Sequence, residues 1–211
     1  MPGQAPVLLG MKLKRIIWPG ASGVLAVLVG LTCAQGGKAA PLTPFIALSR
    51  VSAPEIPAEA AELVHAASAT DRERTAEEVL QAVSAVARSG VIPFVVSAIC
   101  RESPELAGPV VAKAIERQPD GVLIFAKAAL CAAPGQVKQV VFSACKAAPN
   151  SYAEIASIAS RQLPAANDLI LSGIIGALPA LKLDIEEAEI EVGTNDVKAV
   201  IGRTVQLSGG R

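Results

Sequence analysis

One histidine, one run of carboxylates and a few cysteines are the only groupings in this 211-residue chain that could carry chemistry. His65 could serve as a neutral-pH acid, base or metal ligand. No second ligand stands at a matching helical spacing, and a zinc site needs three or four. His65 therefore reads as a solvated residue at the edge of a helix face. Asp184, Glu186, Glu187, Glu189 and Glu191 could surround a cation. They lie at the end of the patterned region, where a charge run reads as a solvated face. The chain has no glycine-rich phosphate loop, HExxH, GxSxG, CxxC or Asx-rich calcium loop. The sequence thus assigns no catalytic residue, no cofactor and no metal ligand, and it leaves the binding residues open. It predicts a protein that is not an enzyme, with a carboxylate-dependent enzyme as a remote alternative.

Cys100, Cys131 and Cys145 lie downstream of the export segment described below. An odd number of thiols is awkward in an oxidising compartment. Cys131 and Cys145 fall near the ends of successive helices. If those helices are antiparallel, the sulfurs are separated by more than the ~7 Å Cα limit of a disulfide. The expectation is three buried thiols behaving as small apolar residues, with no disulfide.

The elements that must position these residues follow a beat of prolines at 104, 119, 134, 149, 164 and 179, each 15 residues after the last. Counting each unit from its proline, position 7 holds Val110, Phe125, Val140, Ile155, Ile170 and Ile185. Position 12 holds Ile115, Leu130, Cys145, Ser160, Ile175 and Ile190, and position 11 is mostly alanine. The apolar set 4, 7, 8, 11, 12 is the spacing of one helix face. Proline suits the first helical turn, where its missing N–H costs nothing. Ser103, Asp120 and Asn150 stand where side-chain caps would be expected. Pro109, at position 6, predicts a kink or restart near 108–109. Fainter units begin at Arg74 and Ser89, and another at Pro57 after an insertion.

The sequence therefore predicts an all-α, α-solenoid-like array of about nine short antiparallel helices, built as 30-residue helical hairpins. Such helices are marginal alone and gain burial from their neighbours. The build resembles helical-hairpin solenoids such as tetratricopeptide or HEAT arrays, with a shorter unit and without their consensus residues. The implication is architectural only.

Four regions follow. Residues 1–39 read as an export signal with Met11 read as its true start: Lys12, Lys14 and Arg15 precede an apolar stretch, and small residues allow cleavage after Ala34 or Ala39. An uncleaved anchor is the alternative, and Cys33 sits in a poor match to a lipid-attachment motif. Residues 40–56 read as a proline-rich arm or linker, in which Phe45, Ile46 and Leu48 could instead cover the first helix. Residues 57–193 are the repeat domain. Its last unit, LKLDIEEAEIEV, has a polar outer face that would stop an array, and its alternation also permits a strand. Residues 194–211 form a tail, loop or short helix over 196–201.

A formal net charge of +0 removes the simplest argument for nucleic acid or an anionic membrane surface. Aromatics are only 3%, and Phe94 and Phe125 sit at positions that look buried or half-buried, so no exposed stacking platform is expected. The expected function is an exported protein-interaction or scaffolding module, periplasmic or extracellular. Its partner would be another protein, and after signal removal no membrane contact is expected. The alternative is a self-associating spacer of the cell envelope. N-terminal sequencing of the fractionated protein should find Gln35 or Ala40 first; an intact N-terminus in the membrane fraction would show an anchor instead.

Overall fold

A computed structural model describes residues 43–86 and 89–209, so the export segment lies outside the described residues. Among them are eleven α-helices and no strand. They are α1 (Pro44–Leu48), α2 (Ile56–Ala66), α3 (Arg72–Val86), α4 (Ile92–Glu102), α5 (Ala107–Arg117), α6 (Val122–Ala132), α7 (Val137–Ala147), α8 (Tyr152–Gln162), α9 (Asn167–Ala177), α10 (Lys182–Val192) and α11 (Val197–Gly209). The chain is an all-α repeat array.

Each proline does not begin an α-helix. It heads a three-residue 3₁₀ turn, such as Pro119–Gly121, and the 11-residue helix starts at position 4. The unit is one junction residue, a 3₁₀ turn and three turns of α-helix. This places Pro109 in the first turn of α5, where its absent N–H leaves no intrahelical bond unmade. The expected kink or restart near 108–109 does not occur: α5 runs unbroken from Ala107 to Arg117 and starts at position 4 like the helix of every other proline unit.

The junction residue, position 15, explains why no loop is needed. Ser103, Gln118, Ala133, Ala148, Leu163 and Leu178 adopt φ between −127° and −139° with ψ between 68° and 81°. A following proline bars the α region and favours extended backbone of this kind. Each junction N–H still bonds its own helix, as in Ala133 N to Ala129 O at 2.8 Å. Each junction carbonyl accepts from the end of the next 3₁₀ turn, as in Gln136 N to Ala133 O at 3.0 Å. Backbone satisfaction here leaves little for side chains to do, and none of the expected caps forms a capping bond. The Ser103 hydroxyl is buried without a partner.

From α4 to α9, each helix packs most broadly on the helix two places along, so the array has two rows. Consecutive helices touch less, so the broad contacts are those between stacked units, as in a solenoid. A connection of one extended residue and a tight turn sends consecutive helices into different rows. In the odd row, glycines let backbones approach. A Cβ on Gly108 of α5 would lie 2.9 Å from Ser143 Oγ and 3.3 Å from Gln139 O of α7. One on Gly173 of α9 would lie 2.9 Å from Lys138 O of α7.

Position 7 is buried in all six proline units, and position 11 in the first five. Position 12 is buried through Cys145, half-buried at Ser160 and Ile175, and 82% exposed at Ile190. The change reflects how the array ends. At residue 193 the junction is Gly193, followed by Thr194 rather than proline, with φ 67°. Glycine adopts this left-handed C-cap without a Cβ penalty. The chain leaves at a new angle, and α11, not α10, takes the even-row place beside α8. The tail is thus a 13-residue helix, longer than the sequence suggested. The last acidic unit is helical, although Asp184 is buried and Glu189 half-buried because α11 covers that side. At the other end, 40–56 is more than a linker: Leu48 of α1 is fully buried, and α1 packs on α2 and α3.

The two-row design makes deletions parity-sensitive. Removing residues 119–133 moves every later helix to the opposite row, so α7 meets faces it does not fit. Removing 104–133 keeps each later helix in its row. The longer deletion should melt cooperatively and the shorter one should aggregate or melt broadly in circular dichroism.

Candidate functional site

The even row leaves one face open. Position 6, 9, 10 and 13 side chains project there: Phe94, Ser97, Ala98 and Arg101 on α4, and Glu154, Ser157, Ile158 and Arg161 on α8. The spacing i, i+3, i+4, i+7 puts each set on one helix face. Between α2 and α4 this face is a groove of about 880 Å³. Ala58 and Ala61 of α2 and Ala98 of α4 make an apolar lining, and Phe94 stands over it, 66% exposed. Glu62, Arg101 and Glu102 supply its charges, and His65 lies beside them. A shallower hollow of about 300 Å³ lies between α6 and α8, bounded by Leu123, Ile158 and Arg161.

Phe94 corrects the expectation of buried or half-buried aromatics. Phe125 is fully buried beside Gly121, whose missing Cβ makes room for the ring. Phe94 occupies position 6, as does Ile124, which is 58% exposed. Both lie just outside the buried 4/7/8/11/12 face. Apolar residues at position 6, Phe94 and Ile124, are the sequence signal of this exposed face.

The sequence candidates do not converge on a chemical centre. His65 is exposed at the groove edge. Glu186, Glu187 and Glu191 are exposed on α10. Glu191 is bound by Arg203 of α11, which holds its carboxyl below the usual range. Among the described residues no three of His, Cys, Asp and Glu gather as metal ligands. No helix among them is long and apolar enough to cross a membrane.

Cys100, Cys131 and Cys145 are free thiols. Cys100 and Cys145 are fully buried, and burial pushes each thiol up to about 12. Cys131 departs from the expectation: position 13 is a surface position, and its thiol donates to Gln162 Oε1 at 3.2 Å.

No protein-family model matches this chain, and no curated protein or solved structure is detectably similar to it. The class it defines is architectural, an all-α array with a 15-residue beat.

Thiol accessibility is directly measurable. Alkylation of the folded protein near neutral pH should label Cys131 and leave Cys100 and Cys145 unmodified, because reaction requires an accessible thiolate. Denaturation should expose all three. Mass spectrometry of the folded sample showing equal labelling of the three would contradict this burial pattern.

Proposed function

We propose that this is an exported protein-interaction module whose binding face is the open side of the even row. The observation that carries the reading is the α2–α4 groove with Phe94 exposed above an alanine lining. A large aromatic left in solvent beside small residues is the composition of a hot spot awaiting a partner. Alanines on opposing helices allow a partner's side chains to reach the helix backbones, the arrangement that suits a helix lying in a groove. Export rests on the N-terminal pattern of charge and apolar residues. The module acts by binding and presentation rather than by catalysis.

A photo-crosslinking residue at position 94, introduced in the full chain in its native setting, tests this. It should give a discrete adduct, while the same residue at Lys146 in the odd row should not. Phe94→Asp should leave the thermal melt unchanged within about 0.5 kcal/mol, since the site is on the surface, and should abolish the association captured at position 94. Adducts from position 146 and none from 94 would place the binding face on the other row.

A further inference from the structure

We infer that the partner continues past the α2–α4 groove as an acidic segment laid across α6 and α8. The inference rests on the reading of the even row as a binding face and adds the chemistry of what crosses it.

The sign of the face changes along the row. The groove holds Glu62 and Glu102 against Arg101, so it does not favour an anion. Beyond Arg101 the repeat supplies cations. Position 9 is Lys127 on α6 and Ser157 on α8, and position 13 is Cys131 on α6 and Arg161 on α8. Lys127 and Arg161 are exposed, and neither forms an ion pair among the described residues. At the open positions 6, 9, 10 and 13 of these two helices the single carboxylate is Glu154, at position 6. It is seven residues from Arg161, roughly 10 Å along the helix.

These residues form one surface because α6 and α8 lie side by side in register. The Cys131 thiol donates to Gln162 Oε1 at 3.2 Å, which ties position 13 of α6 to position 14 of α8. Leu123, at position 5 of α6, shares a hollow with Ala153 and Glu154, at positions 5 and 6 of α8. Leu123 and Ile124 are exposed, and Ile158 is half-buried beside them in the row. A cationic level thus runs next to an apolar one. An occupant needs carboxylates for the first and aliphatic groups for the second.

Spacing sets how often the carboxylates must recur. Helices packed side by side are about 8–10 Å apart. Arg101, Lys127 and Arg161 come from three successive helices of the row, so a chain crossing them meets one cation per step. An extended chain with three residues per turn returns to the same face after about 9.3 Å. One carboxylate in every third residue therefore matches the row. An anionic bilayer offers the same charge, but as a flat sheet that would also press against Glu62, Glu102 and Glu154. A discrete segment places its carboxylates only where cations stand.

Fluorescence anisotropy with labelled peptides and the purified protein tests the inference. The acidic probe repeats Glu-Leu-Pro, and its control repeats Lys-Leu-Pro. The acidic probe should bind about tenfold more tightly than the control, and its affinity should fall as salt rises. Lys127→Glu with Arg161→Glu should reverse that preference and leave the circular dichroism melt unchanged. Lys138→Glu with Lys146→Glu, in the odd row, should keep the preference of wild type. Equal binding of the two probes, a preference that survives reversal at Lys127 and Arg161, or binding of phosphatidylglycerol vesicles in place of the acidic probe would overturn the inference. If neither probe binds but position 94 still crosslinks to another protein, the acidic segment is wrong and the groove remains a binding site.

Discussion

The junction residue before each proline is the constraint on which the array depends. Proline excludes α-helical backbone from the residue before it. In this chain that residue nevertheless keeps its N–H in the helix it ends, and its carbonyl caps the 3₁₀ turn that follows. One residue thus terminates a helix, reverses nothing more than it must, and leaves no backbone group unpaired. Because the connection has no slack, every helix is placed by the one before it. A repeat of short helices, each marginal alone, is thus joined through residues whose own N–H and carbonyl are both hydrogen-bonded.

Two rows follow from that joint, and the rows differ in composition. Gly108, Gly173 and Gly176 admit neighbouring side chains or backbone in the odd row, where Gly176 has the Phe142 ring against it. Positions 5, 10 and 13 of the even-row helices α4, α6 and α8 carry proline, leucine, alanine, isoleucine, cysteine and arginine instead. The two rows therefore share one repeat geometry and differ in a few side chains.

Much of this was legible in the sequence. The proline beat and the 4/7/8/11/12 pattern gave the helices and the core, and Phe125, Val140, Ile155 and Ile170 are buried as that pattern required. The rest turned on three-dimensional facts that spacing does not encode. Capping bonds were expected at Ser103, Asp120 and Asn150, yet the junction backbone satisfied itself. Cys131 looked like a third core thiol, yet position 13 faces solvent. Phe94 looked covered, yet position 6 lies outside the core face. The row arrangement follows the direction each joint imparts, and stacked 30-residue units place alternate helices in the same row.

Gly193 shows how little is needed to stop such a repeat. It occupies position 15, where earlier units have Ser, Gln, Ala or Leu before proline. Glycine permits φ 67°, and the absence of proline at 194 removes the restriction that held the other junctions extended. Two changes at one joint redirect the chain, and α11 rather than α10 then closes the even row. The displaced α10 keeps the apolar residues of an interior unit at Leu183 and Ile190 but gains glutamates around them. Glu189 replaces the small or apolar residue of position 11, and Ile190 at position 12 is left exposed because its place in the even row has gone to α11.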